Sequence, residues 1–261
     1  MEEVEVMEKL TCKAVRVFSL AAYDFKSVYA GSLLGSIWAI AEPLVTVLVY
    51  WFVYAVAFGG ADIDGAPYYL WLSAGIAPWF FISNGIRAVA ASYRDYSYLI
   101  KKVNVDNSIL PKVRTMSALF SHLIFFVLVL IFCVFTGAKC NALYVLLPML
   151  LSLALVFGVG RILALLCGIY KDVLSLTGVI LNIGFWITPI FWSADAAGGS
   201  LQEIIYLNPA AILVDGYRDA LLFGKTMDVR GVCTVGLLCA ALIILGRAAE
   251  KKILPDIADR L

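Results

Sequence analysis

Apolar runs long enough to cross a bilayer dominate this chain and decide what it can become. A hydrocarbon core about 30 Å thick takes roughly 20 helical residues. Six stretches come near that length: Ser36 to Phe58, Tyr68 to Ala88, Val113 to Thr136, Leu143 to Ile169, Val173 to Trp192 and Gly231 to Gly246. The last is the shortest, so Arg230 and Arg247 at its ends are expected to snorkel toward water. With 62% hydrophobic and 15% charged residues, the remainder is too small and too apolar for a soluble domain of 261 residues. The fold class expected is an all-α integral membrane protein with six transmembrane helices.

The basic residues orient those spans. Lys9, Lys13, Arg16 and Lys26 precede the first; Arg87, Arg94, Lys101, Lys102, Lys112 and Arg114 lie in the second loop region, including the span ends that border it; Lys171 follows the fourth; Arg247, Lys251, Lys252 and Arg260 follow the sixth. The opposite side has Lys139, Arg218, Lys225 and Arg230. Both termini are therefore expected in the cytoplasm. The chain opens on acidic "MEEVEVMEKL" and reads as lacking a cleavable signal peptide. A net charge of +1 gives no sign of a nucleic-acid partner. Six cysteines without a CxxC pair suit small packed side chains better than a metal site, and no metal is expected.

Segments outside the spans divide the chain further. Residues 1–35 form a tail in which Val4, Met7, Leu10, Ala14, Phe18, Ala21, Phe25 and Val28 recur at helical spacing, with Lys9, Lys13, Arg16 and Asp24 between them. That is an amphipathic helix suited to the headgroup region of membrane lipids. Residues 36–247 form the transmembrane domain and 248–261 a cytoplasmic tail. The loop "SYRDYSYLIKKVNVDNSILPKVR" carries apolar residues that a simple connection does not need, so it reads as a docking surface for a cytosolic partner. "LQEIIYL" and "AAILVDGYRDALLF", separated by Asn208-Pro209, are too short to span and are expected as interfacial or re-entrant helices within 201–223.

Two charges lie inside the apolar runs. Glu42 precedes Pro43, which has no amide N–H to donate to the Ala39 carbonyl and is expected to kink the span. A carboxylate at that depth costs on the order of 2 kcal/mol or more against lipid, so Glu42 is expected to face protein or a water-filled path. The alternative is that Glu42 caps a shorter helix starting at Pro43. Gly31 and Gly35 are placed to admit another helix closely. Arg161, in the fourth span, needs an acceptor, and Glu42 is one choice. Trp38, Tyr50, Tyr54 and Trp79 are the aromatic residues chosen as partial channel lining. His122, the only histidine, reads as packed and hydrogen-bonded.

Familiar chemistry is missing. There is no GxxxxGK[ST], HExxH or GxSxG motif, and "DALLFGKT" has Asp219 where a phosphate loop needs its first glycine. An enzyme would have to use carboxylates such as Asp215 and Asp219, four residues apart. Arg218 beside Asp219 reads more simply as surface charge pairing.

"GSLLGSIWAIAEPL", "AGIAPWFFISNGI", "LIKKVNVDNSILP", "IYKDV", "WITPIFW" and "LNPAAILVDGYRDAL" occur in this order. Together they resemble the membrane subunit of ATP-binding cassette exporters of bacterial cell-surface polysaccharide, the group handling O-antigen, capsule and teichoic acid. The resemblance runs from about Phe25 to Arg247, with Glu42 and Lys171 in places where the family often has asparagine and arginine. It implies a homodimer in the bacterial cytoplasmic (inner) membrane, exporting a lipid-linked polysaccharide. A separate cytosolic ATPase subunit would hold ATP and Mg, with no cofactor bound by this chain and no catalytic residue in it. It further implies a coupling loop at 94–111, with Arg94, Leu99, Ile100, Lys101, Lys102 and Val103 as ATPase contacts. Kink or gate positions would be Pro43, Pro189, Asn208 and Pro209, and Glu42 and Arg161 would join the aromatic residues along the channel. The alternatives are a type-2 exporter of drugs or lipids and a membrane enzyme acting on lipid-linked sugars.

Overall fold

A computed structural model describes residues 2–33, 35–59, 62–102, 107–196 and 198–260. Among these the regular structure is helical, apart from one isolated bridge between Ile63 and Ala66. In chain order the helices are α1 (Glu2–Val28), α2 (Trp38–Phe58), α3 (Tyr68–Asp95), α4 (Ser97–Lys102), α5 (Leu110–Phe135), α6 (Ala142–Ile169), α7 (Asp172–Ile187), α8 (Gly199–Ile205), α9 (Pro209–Leu222) and α10 (Val229–Arg260). Four of them, α2, α5, α6 and α10, are long and apolar enough to cross a membrane.

The centre of the bundle is α3, whose Leu72, Ala74, Ile76, Ala77 and Val89 have no exposed surface. It packs against α5, α6 and α9, and α6 packs in turn against α10. Lipid tails are as apolar as leucine, so helices in a membrane gain their association from close packing between small residues. Gly160 and Gly158 provide it on two faces of α6. A Cβ at Gly160 would lie 2.6 Å from Cβ of Val89 on α3, and one at Gly158 would lie 2.9 Å from Cβ of Leu242 on α10. Neither neighbour could retreat without moving its helix, so α6 is wedged between the two.

Several boundaries differ from those read in the sequence. The stretch to Trp192 stops being helical after Ile187 because Pro189 lacks an amide donor and disfavours helical geometry at Thr188. The Thr188 hydroxyl turns back instead and donates to the Gly184 carbonyl at 2.7 Å. At the other extreme, α10 runs through the expected tail to Arg260. Ile253, Leu254 and Ile257 repeat on one face there and pack with Tyr93, Leu110 and Leu165. Helix α2 begins at Trp38 and continues through Pro43, so Glu42 lies within the helix rather than capping one that starts at the proline. Gly31 and Gly35 have φ of +82° and +52°, and an added Cβ would meet nothing within 4 Å. They shape the turn between α1 and α2, and among the described residues of one subunit no second helix comes close to them.

Candidate functional site

Three regions along the bundle gather the polar and aromatic side chains. At the end where α9 packs on α3, the arrangement is built around Arg218, which is 1% exposed. Its Nη1 donates to the Pro189 carbonyl at 2.6 Å and to Asp215 Oδ1 at 3.2 Å, and its Nη2 donates to the Ile190 carbonyl at 2.5 Å. Its Cζ lies 3.9 Å from the centroid of the Trp71 ring. The guanidinium thus uses its planar fork to tie the non-helical 188–193 segment to α9 and α3. Gly75 makes room for it, since a Cβ there would stand 2.7 Å from Nη2. Arg218 therefore does not pair with Asp219 at the surface, as its sequence neighbourhood suggested. Asn208 strengthens the same junction: its Oδ1 caps α9 by accepting from the Ala210 amide at 3.0 Å, while its Nδ2 donates to Thr188 Oγ1 at 2.8 Å. Pro209, at the first turn of α9, needs no amide partner. Asn208, Pro209 and Pro189 are thus joined in one assembly. Burial raises the Asp215 carboxyl above its usual range, opposed by Arg218 and by the Tyr206 hydroxyl that donates to it.

In the middle of the bundle a groove of about 560 Å³ runs between α3 and α7, with Glu42 of α2 on its rim. Trp79, Asn84, Arg87, Ser175 and Asn182 line it, giving polar groups set among aromatic and aliphatic ones. Trp79 is itself buried, and its ring lies against Gly184 and 6.0 Å from the Phe185 ring. Tyr50 packs on Phe185 at 5.7 Å and stacks on Phe191 at 6.2 Å, and Tyr54 stacks on Tyr68. Tyr50 therefore holds α2 against α7 and the 188–193 segment and Tyr54 holds it against α3, whereas Trp79 packs α3 on α7 and faces the groove. Trp38 is exposed and, with Glu42 and Pro43, lines an adjoining cavity of about 300 Å³ against α1. His122 closes the deep side of that cavity, stacked on Phe81 and bonded through Nε2 to the Tyr217 hydroxyl at 2.9 Å.

Arg161 lies on neither the groove nor the cavity. It is buried on the α6 face that meets α10 and forms an ion pair with Glu250, whose Oε1 also accepts from the Tyr93 hydroxyl at 2.8 Å. Within the subunit Glu250, not Glu42, is its partner, because the continuous α10 carries that carboxylate past the expected end of the span.

At the opposite end from Arg218, α4 follows α3 and packs against it and against α10. Arg94 donates from Nη1 to the Lys171 carbonyl at 3.3 Å, fastening the end of α3 to the α6–α7 turn. Ile100 packs against the cluster around Tyr93, Leu165 and Ile257. Leu99, Lys101 and Lys102 belong to α4 by backbone, whereas Val103 lies outside the described residues. Beside α4, Arg114 bonds Asp95 at 2.6 Å and faces Asp24 of α1 at 3.4 Å, and the Tyr96 hydroxyl donates to the same Asp24. Among the described residues, no group of three His, Cys, Asp or Glu side chains is placed to hold a metal ion.

The family described as ABC-2 type transporter matches residues 15–222, from within α1 to the last turn of α9. This chain belongs to the ABC-2 type transporter family. Over 233 residues, 88% of each chain, it is 24% identical to the O-antigen export system permease protein RfbA of Klebsiella pneumoniae. It is also 25% identical over 233 residues to the RfbA of Myxococcus xanthus, covering 87% of this chain and 88% of that one. The part common to ABC-2 transporters takes in the groove, the Arg218 junction and the Arg114 cluster; α10, which supplies Glu250, follows it. Sequence reasoning singled out none of Asp24, Tyr96, Arg114 or Glu250 as a site residue. A signal existed for Asp24, an acid within the apolar periodicity of α1.

Proposed function

We propose that this chain is the permease subunit of an ATP-binding cassette exporter that carries a lipid-linked polysaccharide across the bacterial cytoplasmic membrane. The observation that carries this reading is the match, over 88% of both lengths, to a permease named for O-antigen export. Two subunits form the pathway, each crossing six times with both termini cytoplasmic. Besides the four long apolar helices, α3 crosses as the protein-lined core of each subunit, with 28 residues giving about 42 Å. Helix α7, at 16 residues or about 24 Å, crosses with the help of the non-helical segment that follows it. The exposed apolar faces of α2 (Leu44, Leu48, Phe52) and α7 (Leu176, Ile180, Ile187) meet lipid or the second copy.

Glu42 and Trp79 then lie along the path, where polar groups set among aromatic ones suit a sugar polymer that must pass without tight binding. The α8–α9 pair, fastened by Arg218 and Asn208, forms the extracytoplasmic gate. The 94–111 segment, with α4 at its tip, receives the push of a separate cytosolic ATPase holding ATP and Mg. The test is crosslinking from a probe placed in 101–107, followed by mass spectrometry of the captured chain. An ATPase bearing a phosphate-loop motif is expected in about equal amount. Its reproducible absence from intact protein would refute the exporter reading.

A further inference from the structure

We propose that Arg114 is a positioning residue that passes movement of the 94–111 segment to the amphipathic helix α1, by sharing one guanidinium between carboxylates on two different helices. The proposal rests on the reading of that segment as the ATPase contact. Arg114 stands early in α5, immediately after the segment, and reaches back to the end of α3. Its Nη2 lies 2.6 Å from Oδ2 of Asp95, the last residue of α3, and its Nη1 lies 3.4 Å from Oδ1 of Asp24 on α1. The Tyr96 ring sits 5.0 Å from its Cζ, and the Tyr96 hydroxyl donates to Asp24. One cation, carried by the chain leaving the segment, therefore touches both the chain entering it and α1. Arg94 is engaged elsewhere, on the Lys171 carbonyl.

The two carboxylate contacts are unequal. Asp95 is exposed and its contact is short; Asp24 is 2% exposed and its contact is long. Asp24 Oδ2 and Arg114 Nε are both buried and have no hydrogen-bond partner among the described residues. A buried acceptor left unpaired, as Asp24 Oδ2 is, gains by meeting a donor. A small approach of the α5 end to α1 would convert the single long contact through Nη1 into a two-toothed pair through Nη1 and Nη2, Nη2 leaving Asp95 for Asp24 Oδ2. The guanidinium stays paired in both positions, which makes the cluster a two-position element rather than a rigid strut. Pushing α4 displaces the ends of α3 and α5 together, and the exchange between Asp95 and Asp24 then carries α1 with them.

The test uses the purified complex with its ATPase subunit, reading ATPase retention, ATP hydrolysis and polymer exported per ATP. In Arg114→Met the ATPase stays bound and hydrolysis continues, while export per ATP falls about ten-fold, within the span of couplings between distant sites. Arg114→Lys, which keeps the charge without the fork, recovers part of that loss. Asp95→Asn, at an exposed carboxylate that the fold does not depend on, lowers the same ratio and supplies the readout if Arg114→Met fails to accumulate. A parallel fall of hydrolysis and export would mark a structural role only and overturn the relay. Unchanged export per ATP in the variants, with the ATPase bound, would also overturn it and leave the exporter reading intact. A wild-type complex without an ATPase would instead overturn the reading beneath it, and the relay with it.

Discussion

Replacing Arg218 by methionine tests whether the α9 junction is held by hydrogen bonds or by packing alone. Methionine keeps much of the side chain's length and apolar stem but removes every donor. The Pro189 and Ile190 carbonyls, bonded at 2.6 and 2.5 Å, would lose the Arg218 N–H groups. Leaving a buried acceptor unsatisfied costs about 1–3 kcal/mol, so the two carbonyls together put about 2–6 kcal/mol at stake. Asp215 adds less, because its side chain is 27% exposed and keeps the Tyr206 hydroxyl. The expected loss is thus about 3–5 kcal/mol, the range found when one member of a buried charged pair is removed. Gly75→Ala attacks the same site from α3: its Cβ would stand 2.7 Å from Nη2 and 3.1 Å from the Ile190 carbonyl oxygen. Overpacking of that kind costs about 1–3 kcal/mol. Heat-induced aggregation of the detergent-solubilised protein, read by the fraction still monodisperse after each temperature step, measures both. Arg218→Met should be the less stable of the two, and Arg218→Lys intermediate. Wild-type stability in Arg218→Met would refute the argument that these bonds hold the junction.

Other perturbations have opposite or graded outcomes. Arg161→Met or Glu250→Gln alone should each destabilise by about 3–5 kcal/mol in the same aggregation assay, whereas Arg161→Met with Glu250→Leu should recover most of that loss; no recovery would mean that the pair does more than neutralise itself. Gly160→Ala should cost about 1–3 kcal/mol by driving α3 from α6, while Gly236→Ala, whose Cβ meets nothing within 4 Å, should be neutral or gain up to about 1 kcal/mol from helix propensity. Glu42→Gln should leave thermal stability unchanged and lower the amount of polysaccharide reaching the cell surface; unchanged surface polysaccharide would remove Glu42 from the pathway.

What could be read from the sequence, and what could not, divides along the range of the interactions concerned. The starts of α2, α3, α6 and α7 fall within two residues of the apolar runs, because hydropathy and the position of prolines are local properties. The far end of α10 escaped because hydropathy drops at Arg247, although Ala249, Ile253 and Ile257 still recur at helical spacing on the face that packs. Periodicity, rather than hydropathy, was the signal there. Arg218 shows a different failure. Adjacency to Asp219 suggested an ion pair, yet residues i and i+1 on a helix do not face each other, whereas i and i+3 do. Asp215 satisfies that spacing and is the carboxylate that Arg218 meets. The rule was available before any coordinates, but the two carbonyls that Arg218 also holds lie about thirty positions earlier in the chain and leave no trace in its neighbourhood. Arg161 is the limiting case: its depth in an apolar run makes a partner obligatory, and nothing in the run says which acid supplies it. Burial therefore predicts that such a charge is answered, while only the packing of α6 on α10 determines that Glu250 answers it.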